Sequence, residues 1–117
     1  MTIIQIVLVN IGAIITAFGG IFLKRLSAGI DFSSSDWALL LISSKYAWLG
    51  GVCYLLPILL WTYLLRTMEL TKLQPSLSIV YVYTVVLAYL LLGESPSFLR
   101  LFGIGVIIVG VVIVGKS

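Results

Sequence analysis

Residues Leu73–Gly115 read LQPSLSIVYVYTVVLAYLLLGESPSFLRLFGIGVIIVGVVIVG. Two long apolar runs flank a short polar break, GESPS, at Gly93–Ser97. A helix needs about 20 mainly apolar residues to cross about 30 Å of hydrocarbon, so each run has the length of a membrane crossing. The break is built as a helix-to-helix turn. Gly93 suits a left-handed C-cap, and Ser95 or Ser97 can cap the next helix with Pro96 close to its first turn. Glu94 then meets the positive end of that helix, with Arg100 within reach as a partner. A structural role is therefore expected for Glu94. At the other end of the unit, Pro75 is expected in the first turn of a helix starting near Leu73, where a missing N–H costs little.

Working outward, Ile3–Leu23 and Ala47–Leu65 have the same character. The reading is an all-α integral membrane bundle of four transmembrane helices, with spans at about 3–23, 47–65, 73–92 and 98–115, forming one domain over residues 1–117. Helices satisfy every backbone polar group internally, which lipid demands. Ile3–Leu23 lacks a basic leader and is apolar for longer than a signal peptide's core, so it is expected to remain as a helix. Arg66–Lys72 is a tight turn. Lys24–Tyr46 is longer and holds DFSSSDWALLLISSKY, where Ser35 or Asp36 can cap a short helix. Its apolar part is too short to cross, so residues 36–46 are expected at the interface, with Trp37, Tyr46 and Trp48 at headgroup level.

Composition agrees. Of 117 residues, 62% are hydrophobic and 9% charged, more apolar surface than a soluble body of this size can hide. The chain has no His, one cysteine (Cys53) and four carboxylates, Asp31, Asp36, Glu69 and Glu94. That inventory excludes an internal disulfide and a Cys/His metal site. It contains no nucleophile–base pair and no phosphate loop, so no enzyme and no cofactor are expected. The net charge of +3 is read as snorkelling and orientation charge, not as a nucleic-acid surface. One side of the membrane would carry Lys24, Arg25, Lys45 and Arg100, and the other Arg66, Lys72, Lys116 and the starting amine. That balance gives the positive-inside rule little purchase and leaves insertion in both orientations open.

In the last span Gly103 and Gly110 lie seven residues apart, about two turns, and so share a face. Small residues let helices approach closely in lipid. The two glycines are either a dimer seam or part of the packing within the bundle.

The proline-led third span, the GE turn and the glycine-bearing LFGIGVIIVGVVIV helix resemble the C-terminal hairpin of the drug/metabolite transporter superfamily. In that superfamily a four-helix unit is duplicated in one chain or paired between two. At this length the chain is similar to the paired kinds, the small multidrug resistance proteins and the small subunits that flip aminoarabinose-phospho-undecaprenol. The resemblance implies a transporter in a bacterial-type inner membrane, working as a homodimer or as a heterodimer with a similar four-helix protein.

The departures are specific. The small multidrug resistance proteins carry a proton-binding glutamate eight residues before a lysine ending the first helix. Counted from Lys24, that position is Thr16, and Ile3–Leu23 contains no acid. Their early third-helix aromatic falls near Ser76, with Tyr83 the nearest substitute on the same face. These differences favour the lipid-linked-sugar side of the resemblance, whose cargo is an amphipathic anion. Asn10, Ala17 and Lys24 recur every seven residues on one face of the first span, with Ala13 and Gly20 in the same stripe. The stripe outlines a groove with an amide inside and an ammonium at its mouth, where Lys24 or Arg25 would meet a phosphate. The candidate substrate-binding residues are Lys24, Asn10, Tyr83, Arg25, Thr16 and Ser76. The same small residues and hydroxyls also suit plain helix packing. Pro57 removes a backbone bond from the second span, with Trp61 one turn beyond. The expected function is carriage or flipping of an amphipathic, polyprenyl-phosphate-linked molecule. The alternatives are an exporter of organic cations and a non-transporting membrane accessory subunit.

Overall fold

A computed structural model describes residues 2–30 and 33–117. Asp31 and Phe32, in the long first connection, lie outside the described residues, as does the starting amine on Met1. The described residues form helices and turns without strands, and four helical segments are long and apolar enough to cross a membrane.

The first crossing, α1, is Ile3–Ala28. Thr2 opens it with a reciprocal cap: its hydroxyl accepts from the Gln5 N–H (3.2 Å), and the Gln5 side chain accepts from the Thr2 N–H (3.1 Å). Arg25 in the last turn complements the negative end of the helix. A short helix, α2 (Trp37–Ser43), buries none of its residues. Asp36 occupies its cap position, yet its carboxylate makes no cap bond and accepts instead from the Ser34 hydroxyl at 2.9 Å. The Trp48 indole N–H donates to the Ile42 carbonyl (2.7 Å) and ties α2 to the second crossing, α3 (Lys45–Leu64).

The α1–α3 contact is a small-residue seam. A Cβ on Gly12 would lie 3.3 Å from the Trp61 ring, and one on Gly19 would lie 3.0 Å from the Cys53 Cβ and 3.0 Å from the Tyr54 ring. A Cβ on Gly50 would lie 3.2 Å from Leu23. Association in lipid rests on van der Waals contact, which falls off within an ångström, and a side chain at any of these glycines would press its neighbour back by a few tenths of an ångström. The heptad-spaced pair that packs within the chain is therefore Gly12 and Gly19.

The third crossing runs over Leu70–Leu92 and is segmented. Helix α4 is Leu70–Ser76, a turn follows at Leu77–Ser78, and α5 is Ile79–Leu87. A π-helical turn, Ala88–Leu92, completes it. The helix starts three residues before the expected Leu73, so Pro75 stands near the end of α4 and not in a first turn. A proline there removes a donor from the ladder. The chain accordingly tightens, with Ser78 N–H bonded to Pro75 O and Val80 N–H to Leu77 O, before α5 resumes. Gly93 ends the crossing at φ 71°, ψ 17°, the left-handed cap expected of it. Ser97 then caps the fourth crossing, α6 (Phe98–Lys116), accepting from the Arg100 N–H at 3.3 Å.

Helix α1 is the centre of the assembly, with α3 on one flank and α5 on another, while α6 leans on α4 and α5. The buried cluster is small: Val9, Leu64, Met68 and Leu73, where α1 begins and α3 ends. Large apolar side chains stay outside, among them Leu59 (68% exposed) and Phe98 (83%). This distribution suits lipid as the solvent and would be unfavourable in water. No residue of α6 is buried, and a Cβ on Gly103 or Gly110 would meet nothing within 4 Å. Neither glycine packs against the rest of the described chain, which removes packing within the bundle as their explanation.

Candidate functional site

The site forms where α1, the third crossing and α6 diverge. Pro75 ends α4 early, and the turn at Leu77–Ser78 sets α5 at a new register against α1. A cavity of about 400 Å³ opens between them, lined by Ile6, Val9, Asn10, Ser76 and Ile79, with Val111, Val112, Gly115 and Lys116 of α6. Most of its wall is apolar. Asn10 and Ser76 are its uncharged polar residues, and Lys116 is its charged residue.

Each polar group is already engaged in a defined way. Asn10 Nδ2 donates to its own helix at Ile6 O (2.7 Å), while Asn10 Oδ1 accepts from the Tyr83 hydroxyl. That bond joins α1 to α5. The Ser76 hydroxyl, only 1% exposed as a residue, donates to Lys72 O at 2.7 Å and keeps its lone pairs as acceptors. Lys72, half-buried near the same end, donates to Ser117 O at 3.2 Å. The exposed Lys116 stands one residue before that carbonyl. Lys72 and Lys116 thus both stand near the last turn of α6, where cations are favourable.

The other candidates lie elsewhere. The Thr16 hydroxyl donates to Gly12 O (2.8 Å) within α1. Lys24 is exposed at the opposite end of α1, 14 residues from Asn10 and so about 21 Å away along the axis. Between them Ala13 and Ala17 are fully buried, so the stripe is filled by packing there and is not an open groove. Arg25 Nη2 donates to the Leu91 carbonyl at 3.4 Å. The π-helical turn leaves its last carbonyls without helical partners, and a guanidinium reaches one of them. The structure therefore brings Asn10, Tyr83 and Ser76 together and leaves Lys24, Arg25 and Thr16 apart from them.

Two features of the site were missed in the sequence. Lys116 reads there as a terminal snorkelling charge, and Lys72 as a turn residue. Their approach depends on α6 returning beside α4. The pairing of Asn10 with Tyr83, 73 residues apart, had one signal: both are polar at membrane depth, where each needs a partner. Trp61 also stands out, because its indole N–H is buried without a hydrogen-bond partner among the described residues.

The model of the EamA-like transporter family matches residues 9–116. The chain is also similar to a probable 4-amino-4-deoxy-L-arabinose-phosphoundecaprenol flippase subunit, ArnF, of Photorhabdus laumondii. The two are 28% identical over 116 residues, covering 97% of this chain and 92% of the relative. No solved structure matches the chain.

Proposed function

The chain belongs to the EamA-like transporter family, and on that premise we propose that its cargo is an amphipathic, polyprenyl-phosphate-linked sugar, flipped across a bacterial-type inner membrane. One observation carries this reading. The cavity has mostly apolar walls, hydrogen-bonding residues in Asn10 and Ser76, a lysine among its lining residues and no carboxylate among them. An apolar tail, a hydroxyl-bearing headgroup and a phosphate each find a matching group. An organic cation finds no counter-charge there. The similarity to a flippase subunit supports the same cargo class.

In this reading Lys116 receives the phosphate at one membrane face, while Lys72 is occupied at Ser117 O and contributes less. Lys24, exposed at the far end of α1, meets the phosphate at the other face. Arg25 is occupied at Leu91 O and contributes less. An ammonium on a flexible stem can follow a moving headgroup as a compact charge. The open glycine face of α6 is the seam for a second subunit, either another copy or a similar four-helix protein.

The test is binding of polyprenyl phosphate, against a hydrophobic cation, to the wild type, Lys116→Ala, Lys24→Ala and Arg25→Ala in lipid nanodiscs. Wild type should prefer the phosphate lipid. Lys116→Ala should weaken it about five- to tenfold, as expected for a charge-assisted contact at an exposed site. Absence of phosphate-lipid binding to wild type, together with tighter cation binding in Lys116→Ala, would overturn the reading.

A further inference from the structure

One lining residue of the cavity also ties α1 to α5. That residue is Asn10, and Tyr83 donates to it from α5. One turn and two turns further along the same face of α1, Ala13 and Ala17 are sealed at 0% exposure. Beyond them Arg25 ties the end of α1 to Leu91. A headgroup entering beside Lys116 thus reaches Asn10 and can go no further unless α1 and α5 part.

We propose that the Asn10–Tyr83 bond is the latch that closes the cavity floor, and that a hydroxyl or N–H of the cargo headgroup opens it by replacing Tyr83 as the donor to Asn10 Oδ1. The proposal rests on the functional reading above and narrows its cargo to headgroups that carry a donor.

The chemistry is asymmetric. Asn10 Nδ2 already has an acceptor in Ile6 O. Parting the helices leaves two groups without their partner, Asn10 Oδ1, an acceptor, and the Tyr83 hydroxyl, a donor. A sugar hydroxyl can donate to Oδ1 and accept from Tyr83, and an N–H of the headgroup can make the first of these bonds beside a headgroup oxygen that makes the second. A bare phosphate can accept from Tyr83 but cannot donate to Oδ1, so it leaves the buried acceptor unsatisfied. Only a ligand that interacts differently with the closed and open states shifts their populations. Bare polyprenyl phosphate should therefore occupy the mouth without opening the floor, while its glycosylated form does both.

The experiment places a thiol below the floor. Ala17 shares the face of Asn10 two turns on, and Cys53→Ser removes the native thiol. Labelling of Ala17→Cys by N-ethylmaleimide is followed in proteoliposomes. The Tyr83→Phe change keeps the ring and deletes the donor. It should raise the ligand-free labelling rate about 3- to 20-fold, the range set by single interhelical hydrogen bonds in membranes. Asn10→Ala, which removes the acceptor, should do the same, so the latch is read from both partners. With Tyr83 and Asn10 intact, a glycosylated polyprenyl phosphate should accelerate labelling and polyprenyl phosphate should not. Ligand-free rates unchanged in both variants would overturn the latch. Equal acceleration by the two lipids would overturn donor exchange. If neither lipid binds wild type in the nanodisc assay, the functional reading and cargo-driven opening fall together, while the ligand-free rates still decide the latch.

Discussion

The α1–α3 seam makes a prediction that can be worked from distances. Gly19 and Gly51 are both interior to helices, α1 and α3 respectively. An added Cβ at Gly19 would lie 3.0 Å from the Cys53 Cβ and 3.0–3.1 Å from two Tyr54 ring atoms. At Gly51 it would meet nothing within 4 Å. Ordinary carbon–carbon contact needs about 3.5–4.0 Å, so Gly19→Ala obliges Cys53 and Tyr54 to give way by a few tenths of an ångström. The Cys53 Cβ is fixed to the α3 backbone and cannot rotate away. Overpacked sites of this kind typically lose about 1–3 kcal/mol. Glycine-to-alanine in a helix also gains about 1 kcal/mol in backbone propensity, but both variants share that gain. Their difference therefore isolates the seam. Gly19→Ala should be about 1–3 kcal/mol less stable than Gly51→Ala, about 5- to 150-fold in the folded-to-unfolded ratio. Steric-trap or denaturant unfolding in detergent micelles measures it. Equal stability of the two variants would refute close packing at Gly19.

Other predictions concern the hairpin and the outer face. Gly93→Ala forces a side chain into φ 71° with open space around it, so it should cost about 1–2 kcal/mol through backbone conformation alone, and Gly93→Asn less; thermal unfolding reads both. Replacing Gly103 and Gly110 together by Leu should leave the monomer's fold intact, because neither packs within the chain, yet abolish subunit crosslinking in membranes. Glu94→Gln should retain transport of a polyprenyl-phosphate sugar in proteoliposomes, since the exposed Glu94 lies in the turn away from the cavity; loss of transport with the fold preserved would contradict a structural role for that turn.

Much of this architecture is written locally. Four apolar runs specify four helices because lipid leaves backbone groups no other partner. The GESPS break names its own turn, as glycine alone takes φ 71° without penalty and Ser97 supplies the cap. The absence of an acid in α1 and the polarity of Asn10, Ser76 and Tyr83 were equally legible, since a polar atom at membrane depth must be satisfied wherever it lies. Periodicity, however, assigns a residue to a face and not to a neighbour. Gly12–Gly19 and Gly103–Gly110 have the same heptad spacing, yet the first pair meets α3 and the second meets nothing in the chain. Asn10 and Lys24 share a face of α1, but about 21 Å of helix separates them, and the buried Ala13 and Ala17 close the space between. The lysine that lines the cavity is Lys116, brought there because α6 runs back beside α4, and the donor to Asn10 is Tyr83, placed by the register change after Pro75. Which helices pack against which depends on contacts between residues tens of positions apart, and these fall off within an ångström. Only the tertiary structure could decide them.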